Sequence, residues 1–304
     1  MCARQATRTT ATNIVTIMIT ATSMITITIT IIITVPTTTT RATSRTTTRM
    51  VPTCTASLPT RPPFIGTATA TTTAVTADGE SWREAPLLLW LSPAFPVGAF
   101  AYSHGLEWAF EAGDITGAAS LAAWLADLAR FGGPQLDASL FALAFRAAAA
   151  ADWPALDEVN ATAVALAVSA ERRLETTAQG AAFRLAARAA WDSEPLRRVA
   201  SRDGEPLAYP VAVAAAAAGC SMASSRATEA FVVGQFANLV SAATRLGIVG
   251  QTDGLKILAG IFPALAALAR EAAGATLDEL GGCALRSDIA AMRHETQYST
   301  LFRS

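Results

Sequence analysis

From about Pro86 onward the apolar residues recur at helical spacing. Val232, Phe236, Leu239, Val240 and Ala243 fall at i, i+4, i+7, i+8 and i+11, while Asn238, Ser241 and Arg245 lie on another face. This predicts a long helix over residues 222–246. Residues 171–191 read as a second, with Leu174, Ala178, Ala181 and Leu185 as a narrow apolar stripe. Leu121, Trp124, Leu125 and Leu128 mark a third, Leu136, Leu140, Leu143 and Ala147 a fourth, and Leu255, Leu258 and Phe262 a fifth. Pro263 must kink that fifth helix or open the next, because it lacks an N–H and its ring crowds the preceding turn. No convincing alternating run of β-branched residues competes with these stripes.

The punctuation agrees. Asp152 ahead of Trp153-Pro154 suits an N-cap with Pro in the first turn. Thr276 to Glu279 has capping-box spacing, and Ser287-Asp288 is another start signal. Gly132-Gly133 and Gly281-Gly282 read as stops or turns. Thr252 or Asp253 would cap the helix after Gly250; with an acid present and no P-loop spacing, capping is favoured over phosphate binding. The expected fold is all-α: a single compact multi-helix domain over 84–304, preceded by a low-complexity leader over 1–83.

Composition sets the leader apart. Residues 1–77 hold 28 of the chain's Thr, six Arg and no acid; residues 78–304 hold ten Thr and 17 basic against 24 acidic residues. An acidic globular part argues against nucleic-acid binding, which needs a basic face. The uncharged stretch 13–35 is Thr-rich where a membrane span or signal peptide would be Leu-rich, so no membrane is expected. Its Thr/Ile alternation resembles an amphipathic strand without a partner. A His/Asp-rich coding end read one base out of frame also yields Thr, Ile and Met, so the leader is expected to be either disordered or the product of a start assigned too early. Residues 36–77 are expected to be disordered. Cys220 and Cys283 form neither a disulfide framework nor metal-ligand spacing, which fits a reducing cytosol.

Three stretches carry candidate chemistry. In Leu91–Glu107 (LSPAFPVGAFAYSHGLE), Pro93 and Pro96 preclude regular helix, and Tyr102, Ser103, His104 and Glu107 gather at a loop–helix junction. Either they form a functional polar cluster, or a capping turn with a buried Tyr and a solvated His. Residues 171–188 carry Glu171, Arg172, Arg173, Glu175, Arg184 and Arg188, read as a solvated face with i,i+4 pairs or as an ion-paired subunit interface. At the C-terminus, Met292, Tyr298, Leu301 and Phe302 alternate with Arg293, His294 and Arg303, a mixture enriched at interface hot spots. That segment either packs back as a last helix or docks onto a partner. A hydrolase built on His104, Glu107 and His294 would need a nucleophile–base arrangement that no motif supplies.

These stretches, with Asn238–Leu246 (NLVSAATRL), Gly250–Leu258 (GQTDGLKIL) and Asp288–Ser304 (DIAAMRHETQYSTLFRS), resemble the urease accessory UreF family from about residue 86 to 304. The resemblance implies an all-α, non-enzymatic, cytoplasmic maturation factor. It implies a homodimer linking UreD (also called UreH) to the GTPase UreG, required for nickel insertion into the urease apoprotein and regulating GTP use by UreG. The nickel carrier UreE enters indirectly, and its His-rich end would supply the proposed out-of-frame leader. No cofactor is expected to bind stably; nickel would be handled transiently, with Tyr102 and Glu107 as a candidate route. Arg293, His294, Glu295, Tyr298, Leu301, Phe302 and Arg303 are the implied partner-binding residues. Two departures stand out: Ala208 where the family often has His before Tyr-Pro, and fewer Arg than usual over 173–183.

Overall fold

The computed structural model describes residues 14–23, 26–34, 82–200 and 204–304. Contacts divide the chain into Met1–Thr73 and Ala74–Ser304. In the first unit, β1 (Ile14–Ser23) pairs antiparallel with β2 (Thr26–Thr34), placing Ile17 opposite Ile31 and Ile19 opposite Ile29. The alternating strand read from the sequence therefore has a partner. The expected disorder of 36–77 lies outside the described residues.

In the second unit every regular element among the described residues is a helix. Its α-helices are α1 (Ala85–Trp90), α2 (Leu106–Glu111), α3 (Ala118–Phe131), α4 (Gly133–Ala149), α5 (Trp153–Ala165), α6 (Ala170–Arg188), α7 (Glu194–Ala200), α8 (Tyr209–Gly219), α9 (Ser224–Arg245), α10 (Gln251–Ala273) and α11 (Leu285–His294). Helix α8 is the hub and packs on α4, α6 and α7. Residues Pro210 to Ala217 are all buried, and the small Ala and Val side chains let neighbours approach closely. At Gly180 of α6 a Cβ would stand 2.0 Å from the Leu207 carbonyl oxygen, so only glycine permits this crossing.

Two apolar clusters fill the domain. One joins Trp90, Phe141, Phe183 and Phe231 to α8, with Phe141 and Phe231 stacked at 4.8 Å and Trp90 edge-on to Phe183 at 5.6 Å. The other joins Leu121, Leu125 and Leu128 of α3 to Phe236 and Leu239 of α9 and Ile261 and Leu265 of α10.

The stripes on α3 and α9 are buried as expected, and Asp152 caps α5 by accepting from the Ala155 N–H at 3.1 Å. Elsewhere the structure corrects the reading. On α6 the stripe Leu174, Ala178, Ala181, Leu185 faces outward, with Leu185 78% exposed; Glu175, Thr176, Gln179, Gly180, Phe183 and Ala187 face inward. On α10, Leu255 and Phe262 are exposed, and Ile257, Ile261, Leu265 and Leu268 make the core face. Helix α10 runs through Pro263, which lies on the exposed side where water can take the carbonyl left without a partner. It begins at Gln251 with Gly250 as N-cap, so Asp253 sits in the first turn and pairs with Lys256 at 3.0 Å instead of capping. Helix α11 starts two residues ahead of Ser287, and Thr276 bonds the Glu279 side chain at 2.8 Å over a single 3-10 turn.

Candidate partner-docking site

The Pro93–Pro96 loop delivers Tyr102, Ser103 and His104 to the start of α2 through backbone that helices do not use. Gly98 and Gly105 sit at φ +73° and +75°, and His104 at φ +56°. A Cβ at Gly105 would lie 2.7 Å from the backbone nitrogen of Ala291. The Ser-His-Gly sequence thus lets α2 touch the backbone of α11, and Ala290 and Ala291 complete that close contact from the other side.

Glu107, in the first turn of α2, is buried and receives the chain end. Its carboxylate accepts the Leu301 N–H at 2.6 Å and the Phe302 N–H at 2.9 Å. The His294 Nε2 lies 3.2 Å from the same carboxylate, and Nδ1 lies 2.8 Å from Glu171 Oε2. A neutral imidazole has one N–H, so it can donate to only one of these carboxylates at a time. The Ser103 N–H donates to the Ser304 carbonyl at 2.5 Å, its hydroxyl donates to the same oxygen, and the Arg303 N–H donates to Ala101 at 2.8 Å. Glu295 accepts the free Ala170 N–H at the start of α6 at 2.7 Å, where helix polarity favours a carboxylate. Phe302 is 3% exposed beneath the Arg245 guanidinium, 4.4 Å from its ring centroid.

A second polar group lies beside the first. Glu175 is contacted by His104 Nε2 (2.9 Å), by Arg172 and by Gln179 Nε2 (2.9 Å), and accepts the Ser304 hydroxyl at 3.2 Å. Burial alone would raise the Glu175 carboxyl, but the charges of Arg172 and His104 and their hydrogen bonds outweigh it and hold it at about 2. Asp137 shares Arg172 at 3.4 Å and accepts from Gln235 Nε2 at 2.9 Å. Its carboxyl is raised because desolvation exceeds what Arg172 and His104 return, and Glu175 adds repulsion.

The polar residues of 171–188 are therefore not one solvated face. Arg173 and Arg188 are exposed, whereas Arg172 and Glu175 are enclosed with Asp137 and His104. The buried Tyr102 matches the capping-turn reading, but His104 is paired with Glu175 and not solvated. His104 and His294 belong to different carboxylate pairs, and the Ser103 hydroxyl is tied to Ser304. Among the described residues no three His, Cys, Asp or Glu are placed to hold a metal ion. The two carboxylates at His294 face opposite ring nitrogens and so share no coordination point.

The C-terminal segment packs back on the domain and still presents a surface. Of the seven sequence-predicted contact residues, His294 and Phe302 face inward, while Arg293, Glu295, Tyr298, Leu301 and Arg303 are exposed. Leu301 is 67% exposed beside the buried Phe302, and Tyr298 projects fully. On α11, Leu285, Ile289 and Met292 are exposed at i, i+4 and i+7. Leu285 and Ile289 were not singled out from the sequence, although their spacing with Met292 was there to be read. Arg293 and Arg303 are exposed in the same segment, while Arg286 is paired with Asp114 at 2.6 Å.

A family model described as UreF matches residues 115–262. A protein named urease accessory protein UreF from Azorhizobium caulinodans is 50% identical over 218 residues, spanning 72% of this chain and 94% of that relative. A namesake from Xanthobacter autotrophicus is 52% identical over 219 residues, covering 72% and 90%. Another, from Methylobacterium sp. (strain 4-46), is 50% identical over 218 residues, covering 72% and 87%. With identity of this level across almost the whole of such relatives, the chain belongs to the UreF family of urease accessory proteins.

Proposed function

We propose that this chain is a non-catalytic, cytoplasmic scaffold for urease maturation. It would join UreD (UreH) to the GTPase UreG, as a homodimer, during nickel insertion into the urease apoprotein. The observation that carries this reading is the exposed strip of Leu285, Ile289, Met292, Tyr298 and Leu301, fixed in place by the buried Glu107–His294 anchor. An apolar strip on a rigid support is already ordered before it meets a partner, so little ordering entropy opposes docking. Tyr298 is of the residue type that concentrates binding energy, and Met292 of a type enriched at interfaces. Nucleotide chemistry belongs to the GTPase in this account, and regulation of its GTP use follows from the geometry in which it is held. Nickel is cargo of the assembly; a passage past Tyr102 and Glu107 would require the tail to lift, since Glu107 is engaged by Leu301, Phe302 and His294. No resident cofactor is invoked.

The test is copurification of UreD and UreG with the wild-type chain and with an Ile289→Asp, Leu301→Asp double variant. Loss of UreD, of UreG or of both from a variant of unchanged helix content is the expected result. Undiminished recovery of both partners would overturn the reading.

A further inference from the structure

Helix α6 carries an outward face that no other described residue covers. Along it Glu171, Leu174, Ala178, Ala181, Leu185 and Arg188 recur at alternating steps of three and four residues, the spacing of a seam between two helices. Leu174 is 58% exposed and Leu185 78%, and both alanines are exposed between them. The opposite side of the helix, with Phe183 and Ala187, is the one buried in the domain. None of these six residues belongs to the strip on α11 and the tail.

The face reads the same from either end, with the charge reversed. From the N-terminal end it runs acid, Leu, Ala; from the C-terminal end it runs base, Leu, Ala. A second copy can be turned antiparallel about a two-fold axis level with residues 179 and 180. Its Arg188 then meets Glu171, its Leu185 meets Leu174 and its Ala181 meets Ala178, and every contact occurs twice. The alanines at the crossing let the backbones approach, and the leucines on either side of them lose exposed apolar area to each other. A parallel partner would set Glu171 against Glu171 and Arg188 against Arg188, so the charges select the antiparallel arrangement. Both end groups have the capacity. Glu171 holds His294 through Oε2, and a carboxylate accepts several bonds. Arg188 reaches Asp192 only at 4.0 Å, while Asp192 is held by Arg197 at 2.6 Å. An unrelated partner would not require a face matched to its own reverse, which favours a second copy as the occupant. We infer that α6 is a contact between two copies of this chain, paired antiparallel through the Leu174–Leu185 face. The inference rests on the homodimer of the proposed function and gives it a surface.

Sedimentation of the full chain over about 1–100 μM reads the association, since a seam built on one helix lies at the small end of specific interfaces. The expected result is a wild-type dimer that Leu185→Glu weakens about a hundredfold and Arg188→Glu about tenfold. At concentrations where the chain is monomeric, Leu185→Glu should be close to the wild type in stability. A Leu174→Cys, Leu185→Cys variant reads the geometry. On one helix these positions lie about 16 Å apart, beyond the reach of about 7 Å between Cα atoms for a disulfide, so a bond joining them links two copies. Mild oxidation should give a covalent dimer whose peptide map joins position 174 to position 185, whereas either single Cys variant should cross-link no more than the wild type. Links of 174 to 174 and 185 to 185 overturn the antiparallel arrangement. A wild-type dimer that survives Leu185→Glu and yields no 174–185 link overturns the α6 contact and leaves the homodimer reading standing. A wild-type chain that is monomeric over the whole range overturns both.

Discussion

Replacing Glu107 by Gln removes one charge from the point where the chain end is held, and keeps the size of the side chain. The carboxylate accepts two backbone N–H groups, from Leu301 at 2.6 Å and Phe302 at 2.9 Å, and is also paired with His294. Hydrogen bonds to a charged group contribute about 1.5–3 kcal/mol each. Gln keeps one acceptor oxygen and turns an NH2 donor toward the other N–H, so about 2–4 kcal/mol of docking free energy is lost. What remains is the burial of Phe302, about 1.5–3 kcal/mol, the Arg245 contact with its ring, about 0.5–1 kcal/mol, and the hydrogen bonds that Arg303 and Ser304 make to Ala101, Ser103 and Glu175. The tail should then open far more often than in the wild type, while the clusters around Phe141 and Leu125 are untouched. Hydrogen exchange at Leu301 and Phe302 reads this directly, and protection should fall by roughly 30-fold to several hundred-fold. Protection at Phe236 and Leu239 of α9 should stay at its wild-type level. If the two tail amides exchange at wild-type rates in a folded Glu107→Gln protein, the anchor does not work as described.

Other substitutions probe separate parts of the account. Gly180→Ala places a Cβ 2.0 Å from the Leu207 oxygen and should destabilise the fold by about 3 kcal/mol or more, read as a lower denaturation midpoint. Leu185→Glu, on the outward face of α6, should shift stability by no more than about 0.5 kcal/mol, whereas Phe183→Ala, two residues away and wholly buried, should cost about 3–5 kcal/mol by the same assay. The Glu175 carboxyl is depressed to about 2 in the fold from an ordinary value of 4.5, so its contribution is present above about pH 4.5 and disappears as pH falls toward 2. Asp137, raised by burial, acts in the opposite sense: its penalty is relieved on acidification. Glu175→Gln should therefore be less stable at neutral pH by about 1–3 kcal/mol, because it takes one of two carboxylates from the enclosed Arg172 and leaves Asp137 as the other, and should lose less stability than the wild type on acidification. Denaturant titrations at neutral and acid pH check both halves of that statement.

The helices were largely legible because their buried faces are apolar and regularly spaced. Leu121, Trp124, Leu125 and Leu128, or Val232, Phe236 and Leu239, leave one way to face the core. Helix α6 was misread because its core face is built from Glu175, Thr176, Gln179 and Gly180. Periodicity treats polar residues as outward, and only the partners contributed by distant elements, His104 and Ser304 among them, show that Glu175 is satisfied inside. On α10 apolar residues line the inward and outward sides, so the stripe containing Leu255 and Phe262 looked as good as the buried one. The C-terminal segment carried both of its readings at once. In the bend that carries them, Phe302 is anchored and Leu301 is offered to solvent.

The central claim is that this chain acts by holding other proteins through the strip on α11 and the tail. The most direct measurement is the nickel content of urease purified from cells whose own copy carries Ile289→Asp and Leu301→Asp. The account predicts urease that is assembled but largely without nickel, alongside a variant chain of normal abundance and helix content. Urease with its full complement of nickel in those cells would contradict it.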